Sequence, residues 1–204
     1  MAIGEINKAP AVLKRGAAHI IIGLSIGISG LFIPKIIFLS LLGAATVAFL
    51  VIEFIRFHSP AVNKWFCSFF KLVVRESEKT RLTGASYMLL AALISFLVFA
   101  RDIAATSVCF LALGDALATI IGGSNGKKGV RGKTAAGKAA CLFACLAIGF
   151  ILHYTGLNVS ILAIVIGAIV ATIMESLPKF VDDNLTIPII SGIAMTLVML
   201  IGKQ

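Results

Sequence analysis

Charge is what this chain has little of. Of its 204 residues 13% are Asp, Glu, Lys or Arg, and only 9 are acidic, where a soluble domain carries about a quarter. That shortage excludes an ordinary water-soluble domain, and a disordered tail, which depends on low hydrophobicity and high net charge. Glycine, at 19 residues, is too sparse for a collagen repeat. Cysteine is sparse as well. Cys109, Cys141 and Cys145 lie in apolar runs and Cys67 in a basic segment, a pattern of reduced structural thiols, not of a disulfide framework. No cleavable signal peptide is expected, because the first apolar run is too long and leads into a second. What is abundant is apolar surface: 59% of residues, with a mean hydropathy of +1.06. At about 20 residues per membrane-spanning helix, the chain has room for six or seven spans and little else. It reads as an all-α integral membrane protein with one transmembrane domain over residues 1–204.

Seven apolar stretches can be drawn, at about 17–33, 35–55, 83–100, 103–122, 137–155, 157–177 and 185–202. Pro34-Lys35, Arg101-Asp102 and Gly156 with Asn158 separate the pairs. The net charge of +9 need not mean nucleic acid, because cytoplasmic loops of membrane proteins retain Lys and Arg. With the N-terminus inside, segments 1–16, 56–82, 123–138 and 178–184 hold 15 of the 18 Lys and Arg, leaving Lys35, Arg101 and Lys203 outside. That five-to-one bias predicts a cytoplasmic N-terminus. Residues 60–80 differ: Ser59-Pro60 starts a helix, and Phe66, Phe69, Phe70 and Val73 recur at helical spacing among Lys64, Lys71 and Arg75. This predicts an amphipathic helix in the inner interface, beside Trp65.

The acids collect on one side. Asp102 is the only one expected outside, whereas Glu53, Asp115 and Glu175 fall at or near inner ends of spans and Asp182 and Asp183 in the last inner loop. Ionisable groups at membrane depth are costly unless paired, so they mark function by default. Three segments carry the chemistry. In Gly114-Asp115-Ala116-Leu117-Ala118-Thr119, small neighbours leave Asp115 space to ligate Mg²⁺, which in phosphate sites takes one or two carboxylates plus substrate oxygens; the alternative is an aspartate bonded to a partner helix for packing. Ser124–Lys138 holds four glycines and five cations, Lys127, Lys128, Arg131, Lys133 and Lys138. Its backbone can approach an anion closely, and the helix that follows favours phosphate at its start. Gly132-Lys133-Thr134 imitates the end of a P-loop, but Lys127 stands where that motif needs glycine and no strand precedes it. The alternative is a loop that holds lipid headgroups. The third segment, Glu175-Ser176-Leu177-Pro178 through Asp182-Asp183-Asn184 to Pro188, gathers three carboxylates and an amide. Asp183 or Asn184 capping the last helix would explain one of these groups, not all four.

Weaker features lie at the same depth. His19 follows Lys14-Arg15 at the inner end of the first span, and Glu53 and Arg56 stand three apart at the inner end of the second, as a structural ion pair or as support for the site. His153 reads as structural. Gly23 and Gly27, with Ser25 and Ser29, read as a close helix-packing face.

These segments resemble the phytol kinase, dolichol kinase and CTP-dependent diacylglycerol kinase family: Gly-Asp-Ala-Leu-Ala at 114–118, Gly-Lys-Thr-Ala-Ala-Gly at 132–137, and Glu-Ser-Leu-Pro with Asp-Asp-Asn-Leu-Thr-Ile-Pro across 175–188. Lys-Arg-Gly-Ala-Ala-His at 14–19 and Thr-Gly-Ala-Ser-Tyr at 83–87 extend the likeness over nearly the whole chain. The related phosphatidate cytidylyltransferases end in Pro-Gly-His-Gly-Gly followed by Asp-Arg, which this sequence lacks. The resemblance implies transfer of the γ-phosphate of CTP to the hydroxyl of a membrane lipid, with Mg²⁺ as cofactor. Carried over, Asp115, Asp182 and Asp183 would hold the metal. Lys127, Lys128, Arg131, Lys133 and Lys138, with Thr134 beside them, would take the phosphates, and Lys133 would also act in catalysis. Glu175 or Asp183 would position or deprotonate the hydroxyl, and His19, Glu53, Arg56 and Asn184 would support the site. The expected acceptor is an isoprenoid alcohol (phytol, geranylgeraniol, a polyprenol or dolichol). Diacylglycerol is the second choice and CMP transfer to phosphatidate the third. The expected partners are CTP, a membrane lipid alcohol and the bilayer, without nucleic acid; a homodimer is left open. The site is expected to face the cytoplasm from a plasma membrane or an endomembrane. A small ion-coupled transporter is the rival from another class, but transporters place their acids near the midplane, often in two matching halves, and no internal repeat is visible.

Overall fold

The computed structural model describes residues 9–70, 74–124, 134–177 and 182–202. Among them every regular element is helical. In chain order these are α1 (Ala9–Phe32), α2 (Lys35–His58), α3 (Pro60–Phe69), α4 (Gly84–Val98), α5 (Arg101–Phe110), α6 (Ala116–Ser124), α7 (Ala135–Tyr154), α8 (Ile161–Ser176) and α9 (Asp183–Ile201). A π turn over Leu111–Asp115 joins α5 to α6, and a 3₁₀ turn spans Glu76–Lys79.

The seven apolar stretches thus become seven helical rods, with α5, the π turn and α6 forming one. Five are long and apolar enough to cross a membrane; Gly84–Val98 and Ile161–Ser176 are apolar but shorter. The breaks fall where side chains can replace the missing helical bonds. Ser59, Thr83, Thr134, Ser160 and Asp182 each accept a backbone N–H at a helix start, which satisfies a donor that has no partner within its helix. Gly156 turns the chain after α7 at φ 100°, a backbone conformation that glycine adopts without steric cost.

The α5–α6 rod is the axis. Its spanning window is 78% buried, against 22% for those of α1 and α2, so it is enclosed by protein while α1 and α2 keep broad apolar faces outward. Arg101 ties its first turn to the Gly30 and Ile33 carbonyls, and Asp102 accepts the Asn158 N–H. The small-residue stripe on α1 does what its spacing predicts: a Cβ on Gly23 would lie 2.6 Å from the Ala112 Cβ, and one on Gly27 2.7 Å from Cys109 Sγ. The backbones of α1 and the axis touch because neither residue has a side chain. The cysteines are all free, with Cys109, Cys141 and Cys145 buried. His153 bonds the Val159 carbonyl oxygen at 2.9 Å, a structural role.

One expectation is corrected. The amphipathic helix predicted over 60–80 ends at Phe69. Lys64, Trp65 and Phe69 are exposed and Phe66 buried, so the amphipathic face is real but short. The chain beyond it is drawn instead onto Arg56, which is 1% exposed. Its guanidinium donates to the carbonyls of Glu78 (2.9 Å), Lys79 (3.4 Å) and Arg81 (2.6 Å) and to Asn63 Oδ1 (3.2 Å). Carbonyls occupied in this way leave no geometry for a continued α-helix.

Candidate active site

Helix alternation places the start of α1, the end of α2, all of α3, the start of α4, the end of α6, the start of α7, the end of α8 and the start of α9 at one end of the bundle. A cavity of about 190 Å³ opens there. Arg15, Gly16, His19 and Ile22 line it from α1, Phe49 from α2, Phe66 from α3, Met88 from α4, Asp115 from the π turn, Thr119 from α6 and Asn184 from α9; Phe70, Val74, Arg75 and Glu78 close it. Its lining combines aromatic and aliphatic side chains with cations, carboxylates and an amide.

Each polar group is held there by local structure. Asp115 ends the π turn, a motif that recurs at functional sites because it re-aims side chains. The turn fits because Gly114 has no side chain: a Cβ would lie 2.8 Å from Cys145 Sγ and 3.0 Å from Cys141 Sγ. Arg15 reaches the cavity from α1, within electrostatic range of Asp115, Asp183, Glu78 and Arg75. The two aspartates, 68 positions apart in sequence, therefore act on one guanidinium. Glu78 accepts the Arg75 N–H (2.7 Å) and the Gly84 N–H (3.1 Å), which fixes both neighbours against the cavity. Asn184 is 3% exposed, and its Nδ2 donates to Asp182 Oδ1 at 2.6 Å.

A second buried network supports the first. Glu53 is fully buried and pairs with Arg56 at 2.5 Å; its Oε1 accepts from Thr83 N (2.9 Å), Thr83 Oγ1 (2.7 Å) and Ser86 Oγ (2.8 Å). Both charges are satisfied, as burial demands. The pair is structural: it pins segment 74–83, and with it Arg75 and Glu78, to the bundle.

The predicted site residues divide accordingly. Asp115, His19 and Asn184 line the one cavity; Asp183 and Glu175 are buried at the same end. The cap of α9 is Asp182, not Asp183 or Asn184: its Oδ1 accepts the Asn184 backbone N–H at 3.0 Å as well as the amide. Thr134 is buried as the cap of α7, accepting the Gly137 N–H at 3.1 Å, and Lys138 is exposed beyond it. Lys127, Lys128, Arg131 and Lys133 lie outside the described residues. Sequence reasoning missed Glu78 altogether and treated Arg75 as part of a helix face. The available signal was two acidic residues, Glu76 and Glu78, within a segment otherwise rich in cations.

No protein-family model matches the chain, and no solved structure does. An uncharacterized protein of Rickettsia prowazekii is 30% identical over 165 residues, covering 78% of this chain and 81% of that one. CTP-dependent diacylglycerol kinase 1 of Eremothecium gossypii is 28% identical over 179 residues (76% of this chain, 56% of the kinase), and that of Saccharomyces cerevisiae 26% over 185 residues (78% and 63%). The likeness to CTP-dependent diacylglycerol kinases, over about three quarters of this chain, supports a place in the CTP-dependent lipid kinase family. The chain spans less than two thirds of the length of the Eremothecium and Saccharomyces kinases. The family's name also suits the cavity, where charge and apolar surface meet as they do in a lipid with a reactive head.

Proposed function

We propose that this protein is a CTP-dependent lipid kinase that transfers the γ-phosphate to the hydroxyl of a membrane lipid at the end of the bundle where the cavity lies. The observation that carries the reading is the cavity's mixed lining. Arg15, Arg75, Glu78, Asp115 and Asn184 share it with Ile22, Phe49, Phe66, Phe70 and Met88, which suits a polar head on an apolar chain. The basic segment 123–138 emerges at the same end of the axis, as a nucleotide arriving from water requires, and Lys127, Lys128, Arg131, Lys133 and Lys138 are its proposed phosphate ligands. The proposed acceptor is diacylglycerol, following the names of the fungal relatives, in place of the isoprenoid alcohol expected from sequence.

In the reaction the lipid oxygen bonds to the γ-phosphorus. The bond from that phosphorus to the bridging oxygen breaks, and CDP leaves with the electron pair. The hydroxyl proton passes to a carboxylate, for which Asp183 is proposed and Glu175 is the alternative. Such transfers depend mainly on positioning and charge neutralisation. Mg²⁺ fits the residues present. Among the described residues no group of three or more His, Cys, Asp or Glu forms a metal cage, but Mg²⁺ in phosphate sites needs only one or two carboxylates besides substrate oxygens. Asp115 would hold it, with Asp183 near. When bound it would neutralise phosphate charge. Asp182, engaged at the start of α9, is the weaker ligand.

The decisive experiment offers purified protein CTP labelled at the γ- or the α-phosphate together with dioctanoylglycerol or geranylgeraniol. Lipid labelled only from the γ-position supports the proposal. Label from the α-position makes the enzyme a cytidylyltransferase, and no label from either rejects lipid phosphorylation. Asp115→Asn is expected to lower kcat at least 100-fold while the protein stays monodisperse in detergent.

A further inference from the structure

Two polar atoms in the cavity have no hydrogen-bond partner among the described residues: Asn184 Oδ1 and His19 Nε2. Both atoms are buried, and both residues line the space that Asp115 lines. A buried polar atom left without a partner forfeits its hydration, so one that lines a cavity calls for a ligand or a bound water. The direction of the Asn184 amide is not arbitrary. Its Nδ2 must face the Asp182 carboxylate, which only accepts, at 2.6 Å, and Oδ1 is left on the other side.

The chemistry of the two atoms restricts what fits between them. An amide oxygen only accepts, so it repels the oxygens of a phosphate and calls for an O–H, an N–H or a cation. An imidazole nitrogen either accepts or donates. Before any transfer, a hydroxyl within reach of both atoms satisfies them in one arrangement only: its O–H donates a hydrogen bond to Asn184 Oδ1, and its oxygen accepts the N–H of His19 Nε2. An apolar wall of Ile22, Phe49, Phe66 and Met88 adjoins them. We propose that Asn184 and His19 bind the free hydroxyl of the acceptor lipid, so that the cavity selects uncharged lipid alcohols and rejects their phosphorylated products. The proposal rests on the lipid-kinase reading and deepens it. It assigns the acceptor's reacting end to residues that neither fix the nucleotide nor take the proton.

Gly84 supplies an independent handle. A Cβ at this position would stand 2.8 Å from Asn184 Nδ2, an atom that the Asp182 carboxylate restrains. Gly84→Ala should therefore displace the amide without removing any polar group.

The test has a binding arm and a kinetic arm, both on the full-length protein in detergent micelles. In the first, without CTP, a diacylglycerol carrying a diazirine in one acyl chain is photolysed with wild-type protein. Adducts on cavity-lining residues are expected. Dioctanoylglycerol should compete with them at least tenfold better than dioctanoyl phosphatidate. Absence of adducts there, or equal competition by phosphatidate, overturns the proposal. In the second, Asn184→Ala and Gly84→Ala are each expected to lower kcat/KM for dioctanoylglycerol at least tenfold, with the KM for CTP and the Mg²⁺ requirement within twofold of wild type. A rise in either of those two with an unchanged acceptor KM overturns the assignment and gives Asn184 to the metal–nucleotide side. Should Asn184→Ala fail to fold, Gly84→Ala and the photolabel decide. If wild-type protein binds the diazirine lipid selectively but transfers no phosphate, the kinase reading fails and the hydroxyl site stands.

Discussion

Arg56 shows how far one side chain can organise this end of the molecule. Its guanidinium reaches three backbone carbonyls, Asn63 and Glu53, and packs over the rings of Phe57 and Phe66 at 4.5 and 5.1 Å from their centroids. Arg56→Ala leaves Glu53 charged and buried without its cation, and is expected to cost about 3–5 kcal/mol. Thermal unfolding of detergent-solubilised protein measures this. Arg56→Lys should recover little of it, because one ammonium cannot reproduce the planar fork; a melting temperature equal to wild type for the lysine variant would refute the anchoring role. Asp182 is a milder case. As a cap it is worth about 0.5–2 kcal/mol, so Asp182→Ala should destabilise by that much; Asp182→Ser, which keeps a capping oxygen, should restore most of it. A variant of Asp182 that folds like wild type yet has lost all turnover would instead return it to the metal.

At the scale of elements, the axis joins packing and chemistry most tightly. Gly114 lies within the π turn against two thiols, and Gly114→Ala should both destabilise the bundle by about 1–3 kcal/mol through overpacking and lower activity by moving Asp115. Cys145→Ala in the same chain removes the nearer obstacle, at 2.8 Å, and should recover part of both losses in a melting and turnover assay; no recovery would mean that the turn, not the thiol contact, requires glycine. Much of this level was legible beforehand. The seven rods, their breaks at Pro34 and Arg101-Asp102, and the close face at Gly23 and Gly27 follow from hydropathy, breakers and residue size, which are local properties. The 3₁₀ turn at Glu76–Lys79 and the turn of the Glu78, Lys79 and Arg81 carbonyls onto Arg56 were not legible, because Arg56 lies outside that segment. The π turn was not either: Leu111–Asp115 has no sequence mark that separates backbone bonds spanning five residues from bonds spanning four. Among the site residues, Asp115 was readable as an acid among small and apolar neighbours, and Asn184 as the amide of the Asp182-Asp183-Asn184 cluster. Glu78 was not, since its role comes from bonds to Arg75 and Gly84 that the fold creates.

For the whole molecule, the distribution of charge predicts an orientation. Fifteen of 18 Lys and Arg fall in segments that precede α1 or join helices at the cavity's end of the bundle, which the positive-inside bias predicts to be cytoplasmic. Single cysteines at positions 80 and 156, introduced into a chain with Cys67→Ser, test this in intact cells with a membrane-impermeant maleimide. Cys109, Cys141 and Cys145 are buried and should stay silent. Residue 156 is expected to label from outside and residue 80 only after permeabilisation; the reverse pattern would turn the protein over and put its cavity on the wrong side for cytosolic CTP.

The extra residue accommodated between Leu111 and Asp115 makes the gene open to an unusual lesion. Loss of a single codon there would let the rod close into an unbroken α-helix with little turn of its two ends, because the π turn already absorbs the rotation of about 100° that one added residue brings. Such a protein would still present a long apolar rod to the insertion machinery and to its neighbours. Its acid, however, would lose the local turn that aims it at the cavity, so that the lesion would be quiet in expression and felt in catalysis.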